Sequence, residues 1–217
     1  MDFKNIIFDF DGTLADTTAN ILATMHQTIS ELGLPPRTDD ECRATIGLRL
    51  EDIPPVLWPE VKDLSEKYAA TYRRIFEEVK KKLRVNLYPG VKETLMALHE
   101  RGVNMAIASS RNRSSLEGFV SELGMEDYFQ SLIGGGDVRE GKPSPEPVNK
   151  ILEAHGWKPE ETLTVGDMDV DILMGLRAGT ETCGVTYGNG SAESLQGAGA
   201  NHLIDSFSSL LDVKKSK

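Results

Sequence analysis

Residues Asn5 to Asp16 read NIIFDFDGTLAD, a short apolar run that ends in two carboxylates one residue apart. Asn5, Ile6, Ile7 and Phe8 have the β-branched and aromatic make-up of a buried strand bounded by a glycine turn, which suits a parallel sheet. The strand is expected to stop near Asp9. Strand alternation sends the Asp9 and Asp11 side chains to one face before Gly12 lets the backbone turn. Two acids thus stand at a strand's carboxyl end, where open α/β sheets place their ligand crevice. The same residues also read as an Asp-rich turn with no further role. A calcium loop fails on spacing, because the sixth and twelfth positions counted from Asp9 are Leu14 and Asn20 instead of Gly and Glu.

A chain of 217 residues, 39% hydrophobic and 27% charged, suits one α/β domain or a core with a smaller insert. Lys and Arg number 24 against 34 Asp and Glu, and the resulting charge of -10 disfavours nonspecific attachment to nucleic acid or an anionic membrane. An anionic substrate would need a local correction from a bound cation and a few placed Lys or Arg. Cys42 and Cys183 lie far apart and outside any C-x-x-C pattern, so they read as small buried hydrophobes. His26, His99, His155 and His202 have no metal-ligand spacing. The N-terminal residues carry no charged and apolar signal pattern, and no apolar run reaches membrane-spanning length. A cytoplasmic protein without nucleic-acid or membrane partners is the default expectation, as a monomer or weak homodimer.

The tract from about Ala15 to Leu87 shows helical patterns and no strand. Ile21, Leu22, Met25, Ile29 and Leu32 recur at helical spacing before Gly33. Thr38 and Glu41 form a capping-box pattern. Leu64, Tyr68, Tyr72, Ile75, Phe76 and Val79 make an apolar stripe along Val61 to Leu83. Such a tract is too long for a βα connection and reads as an inserted helical cap. A cap that closes over a site excludes water and carries substrate selectivity.

From Tyr88 onward strand and helix alternate. Met105 to Ala108 form a short strand ending at Ser109 and Ser110, and Arg111 to Val120 open a helix whose first amides could bind an anion with those hydroxyls; the serines read equally as helix caps. Lys142 lies in the stiff loop Gly141-Lys142-Pro143, placed either for solvent or to aim an ammonium at a phosphoryl group. Leu163 to Val165 form a strand followed by Gly166, Asp167, Met168, Asp169, Val170 and Asp171, where the acids suit a helix N-terminus or repeat the geometry of the opening turn.

Taken in order, Asp9-x-Asp11-Gly12-Thr13, Ser109, Lys142 and Gly166-Asp167-x-x-x-Asp171 resemble the motif set of the haloacid dehalogenase-like hydrolase superfamily. The segments YPGVKETLMALHERG, GKPSPEPV and VGDMDVDILMGLRAGT extend the resemblance over nearly the whole chain. It implies a Rossmann-like, doubly wound parallel α/β core formed by residues 1–15 and 88–217, with an α-helical cap domain at 16–87. It also implies a catalytic set. Asp9 would be the nucleophile that forms an aspartyl-phosphate, and Asp11 the general acid and then base. Mg2+ would be held by Asp9, the backbone carbonyl of Asp11 and Asp167, with Asp171 a ligand or a support. Ser109 and nearby groups, including Gly12 and Ser110, would hold phosphoryl oxygens, and Lys142 would balance charge.

Asp11 separates phosphoryl transfer from dehalogenation in that superfamily, since the dehalogenases lack an acid there. The segment IGLRLEDI is similar to the cap of phosphoglycolate phosphatases, and Arg49 stands where phosphonoacetaldehyde hydrolases would carry a Schiff-base Lys. The expectation is a phosphatase of small phosphorylated metabolites, with Arg49 meeting a second anionic group or simply solvated. A β-phosphoglucomutase-like phosphomutase, a pyrophosphatase suggested by GKPSPEPV and a non-catalytic phosphometabolite-binding protein are the competing readings.

Overall fold

The computed structural model describes residues 2–216. In chain order the strands are β1 (Asn5–Phe8), β2 (Ala15–Asp16), β3 (Asn86–Leu87), β4 (Asn104–Ala108), β5 (Ser131–Ile133), β6 (Thr162–Gly166), β7 (Glu181–Val185) and β8 (His202–Ile204). The helices are α1 (Thr18–Glu31), α2 (Asp39–Arg43), α3 (Ile53–Leu57), α4 (Ser65–Lys80), α5 (Val91–Glu100), α6 (Arg113–Glu122), α7 (Glu146–His155), α8 (Asp169–Arg177) and α9 (Ala192–Gly197). Six strands form one parallel sheet in the order β5-β4-β1-β6-β7-β8. This is an α/β fold with helices flanking the sheet.

β1 is apolar from Ile6 to Phe8, as a strand covered on both faces of a parallel sheet requires. Ile6 and Phe8 belong to a layer with Met105, Ile107, Leu163 and Val165, whereas Ile7 packs with Ala106, Ala108, Val148, Ile151 and Met174. Phe8 pairs with Ile107 of β4 and Val165 of β6. That register sets Asp9 level with Ala108 and Gly166, so Ser109 and Asp167 follow one residue further along neighbouring strands. The chain runs from β1 to β4 and β5 on one side and then to β6 through β8 on the other. The acids therefore emerge where the strand order reverses, at the carboxyl edge.

Between β2 and β3 the chain forms α1 to α4. These two strands, absent from the sequence expectation, pair antiparallel with Ala15 opposite Leu87 and Asp16 opposite Asn86. Two residues are too few to leave a periodic signal. α4 presents Tyr68, Tyr72, Ile75, Phe76 and Val79 as its buried stripe, with the Tyr72 and Phe76 rings stacked at 6.1 Å. The predicted capping box is formed at α2, where Thr38 Oγ1 accepts from the Glu41 amide at 3.2 Å and Glu41 Oε2 accepts from the Thr38 amide at 2.7 Å.

α6 differs from expectation. It starts at Arg113, and Asn112 is its cap, with Oδ1 accepting from the Ser114 amide at 3.0 Å. The Asn side chain takes the capping place that Ser109 and Ser110 could have filled and occupies an amide otherwise open to an anion. No helix among the described residues is long and apolar enough to cross a membrane.

Candidate active site

The carboxylates of Asp9, Asp167 and Asp171 converge, each offering an oxygen within 4.8 Å of the others. Lys142 Nζ lies 2.5 Å from Asp9 Oδ1 and 2.7 Å from Asp171 Oδ1. Its contact with Asp171 is an ion pair without hydrogen-bond geometry, so that buried Oδ1 accepts no hydrogen bond. Asp167 is held more completely. Its Oδ1 accepts from Thr13 Oγ1 at 3.1 Å, and its Oδ2 accepts from the Asn189 amide at 2.7 Å and from Asn189 Nδ2 at 3.1 Å.

Burial is the main cause that lifts the Asp9 carboxyl well above the usual range, with Lys142 opposing and Asp171, Asp167 and Asp11 adding to the rise. Asp167 is pushed to about 7, first by burial and then by Asp171, against the hydrogen bonds from Asn189 and Thr13. Burial would depress the Lys142 ammonium, but Asp171 and Asp9 together hold it above the ordinary lysine range. Three buried carboxylates around one ammonium leave net negative charge out of water. An all-oxygen donor set with an acceptor to spare at Asp171 fits a hard divalent cation.

Close backbone packing forms this pocket. Gly12 has φ 87, and a Cβ there would stand 2.2 Å from Asp167 Oδ2. A Cβ at Gly188 would stand 2.4 Å from the Asp167 Cβ. Glycine is required at such approaches.

Asp11 lies outside the carboxylate cluster and faces a cation of its own. Arg111 Nε donates to Asp11 Oδ2 at 3.1 Å, Arg111 Nη2 donates to Asp11 Oδ1 at 2.5 Å, and Thr17 Oγ1 donates to Oδ1 at 2.7 Å. Asp9, Asp11, Ser109, Ser110, Arg49 and Arg111 all line one cavity of about 590 Å³ between the sheet edge and the helical insert. Its apolar side is built by the insert from Ile21, Met25, Leu48, Ile53 and Phe76.

Ser109 is buried and its Oγ accepts from the Arg111 amide at 3.1 Å, leaving its hydroxyl proton available to a ligand. The Ser110 hydroxyl is engaged, donating to the Gly47 carbonyl at 2.6 Å and tying the insert to the sheet edge. Arg49 makes a second tie. Its guanidinium is shared between the Asp52 carboxylate, at 2.7 Å from Nε, and the Arg139 carbonyl, at 2.8 Å from Nη1.

Arg111 and Asn189 were not singled out from sequence. Arg111 directly follows the strand-end serines, and Asn189 sits between Gly188 and Gly190 after β7. A strand-end position was the signal available for both.

The family model for haloacid dehalogenase-like hydrolases matches residues 6–185. A phosphoglycolate phosphatase from Vibrio parahaemolyticus is 33% identical, over 98% of this chain and 96% of that protein. A pyrophosphatase PpaX from Halalkalibacterium halodurans is 34% identical, over 98% of this chain and 97% of that protein. A haloacid dehalogenase-like family hydrolase from Streptococcus pneumoniae, of known structure and 23% identical, has the same fold, with a TM-score of 0.85 over 97% of this chain and 98% of that one. With the acid cluster at the carboxyl edge of β1 and β6 and a family match that runs from β1 through the helical insert to β7, the chain belongs to the haloacid dehalogenase-like hydrolases.

Proposed function

We propose that the protein is a magnesium-dependent phosphatase of small phosphorylated metabolites. The observation that carries this reading is the buried Asp9 carboxylate, set against Lys142 and beside Asp167 and Asp171, on the wall of a cavity that Asp11 also lines. Asp9 attacks phosphorus and becomes an aspartyl-phosphate. Asp11 protonates the leaving oxygen, then deprotonates the water that opens the acyl phosphate. The free Ser109 proton holds a phosphoryl oxygen, and Lys142 keeps Asp9 oriented while balancing the charge gathered there. Asp9, Asp167 and the backbone carbonyl of Asp11, with Asp171 as ligand or support, would hold Mg2+, which would supply positive charge to the transferring group.

Residues 16–87 serve as the cap in this reading. The β2–β3 pair is the stem on which it moves, and the Ser110–Gly47 and Arg49–Arg139 bonds belong to the closed state. Phosphoglycolate is the first substrate to test, because a phosphoglycolate phosphatase matches almost end to end. The equally complete match to a pyrophosphatase places inorganic pyrophosphate second.

The test is phosphate release from phosphoglycolate, pyrophosphate, sugar phosphates and nucleotides, with Mg2+ or chelator. Asp9→Asn is expected to lower turnover by about three orders of magnitude or more. Turnover that survives Asp9→Asn or exhaustive chelation would remove the proposal. Interconversion of glucose phosphates without net phosphate release would point instead to a phosphomutase.

A further inference from the structure

Arg111 has no part in the chemistry just described, yet it is the most constrained cation on the cavity wall. Its guanidinium carbon lies 4.9 Å from the Phe76 ring of the insert and 4.9 Å from the Phe119 ring of α6, with Phe10 at 5.9 Å. Aromatic faces and burial hold such a group in place. Arg111 Nη1 donates to Ser115 Oγ at 3.2 Å, while Nε and Nη2 fork onto the two oxygens of Asp11. The other arginines of that wall are differently engaged. Arg49 is held by Asp52 and the Arg139 carbonyl, and Arg73 by Glu51. Arg111 differs in that its carboxylate partner is itself a reacting group.

That pairing conflicts with the work proposed for Asp11, whose carboxyl must meet the leaving oxygen of the substrate. An anion attached to the leaving fragment, close to that oxygen, would arrive beside Asp11 and thus beside Arg111. A guanidinium fork accepts a carboxylate or a phosphate in the same bidentate manner. Asp11 immediately precedes the Gly12 bend, and once an anion replaces it on Arg111 its Oδ1 still has the Thr17 hydroxyl as a donor. The caged guanidinium cannot follow Asp11.

We propose that Arg111 is a specificity-determining residue that exchanges Asp11 for the anionic group of the leaving fragment. Substrates whose leaving group carries a carboxylate or phosphate next to the bridging oxygen are thereby favoured over phosphate esters of neutral alcohols. The inference rests on the phosphatase reading and narrows its substrate class. It also gives the substrate itself the task of freeing the general acid.

The test compares phosphoglycolate with hydroxyethyl phosphate, whose leaving group has similar length and no charge. The native enzyme should prefer the former in kcat/KM. Arg111→Met should lower that preference about tenfold or more, the loss of a charge-assisted hydrogen bond, with Arg111→Lys restoring part of it. A preference changed by a smaller factor overturns the proposal, whatever happens to absolute rates, and thermal melts establish that both variants fold.

A second readout needs no turnover. The Arg111 Nε–H resonance, assigned by its loss in Arg111→Lys, should shift on adding 3-phosphonopropionate, in which CH2 replaces the bridging oxygen of phosphoglycolate, and stay in place with propylphosphonate. Equal response to the two ligands, or no response to 3-phosphonopropionate, also overturns it. A native enzyme that hydrolyses neither ester with Mg2+ would count against the phosphatase reading itself, while the resonance would still report on Arg111.

Discussion

Lys142 is the single ammonium that contacts both Asp9 and Asp171 among the described residues, and its own side chain is almost wholly buried. Removing it leaves uncompensated carboxylates out of water, a change that costs about 3–5 kcal/mol. Lys142→Met should therefore lower the urea midpoint markedly in chelator, and added Mg2+ should recover part of the loss. Asp167 supplies a prediction in pH. Its carboxyl is raised from 3.8 to about 7, so across that window the folded state keeps a proton that the unfolded chain has released. The cation-free protein then loses stability as pH rises from 3.8 toward 7, the reverse of an ordinary ion-paired aspartate. A cation must displace that proton, and any held by the raised Asp9 carboxyl, so Mg2+ affinity should climb with pH through about 7. Calorimetric titrations that show the same affinity on both sides of that value would contradict this account of the site.

Although Asp11 faces Arg111 outside the Asp9 cluster, the strand end from Asp9 to Gly12 was legible in the sequence, because a short apolar run and one glycine suffice to place the turn. Gly12 shows how strictly. Gly12→Ala would need both a left-handed backbone and room that Asp167 Oδ2 already fills. It should cost more than about 1 kcal/mol and weaken cation binding together with stability, read by thermal melts with and without Mg2+. The capping box at α2 was equally legible, since its two partners are three residues apart. Thr38→Ala should cost about 1 kcal/mol and leave kcat unchanged, because that cap is exposed and remote from the acids. What stayed hidden has a common cause in long-range geometry. Arg111 reaches Asp11 across 100 residues of chain, and Asn189 reaches Asp167 across 22. Neither spacing carries a period. β2 and β3 were missed because a two-residue strand is defined only by its partner. The start of α6 was misplaced by two residues because Ser109, Ser110 and Asn112 are all good caps: the Ser110 hydroxyl goes to the distant Gly47 carbonyl, Ser109 Oγ accepts the Arg111 amide just ahead of the helix, and Asn112 caps the first turn.

At the scale of the molecule, a chain of charge -10 gathers part of its acid at its centre and sets Lys142 against it within the cluster, with Arg111 and Arg49 on the cavity wall. Substrate approach is thus expected to be slowed by the outer field and favoured only close in. Raising ionic strength should increase kcat/KM for a multiply charged phosphate ester, and a steep decrease would show that the local cations dominate at distance. The central place of β1 has one further consequence, which concerns synthesis. Asn5 contacts Asn104 across 99 residues and Thr162 across 157, so β1 leaves the ribosome long before either of the strands that flank it. Contacts of that span make folding slow. During translation the apolar NIIF segment has no partner strand until β4 has emerged, and its second edge stays open until β6 follows, which makes nascent chains of this enzyme clients for hydrophobic-segment chaperones. Chains stalled before Asn104 should be cut by protease within β1, whereas released chains resist.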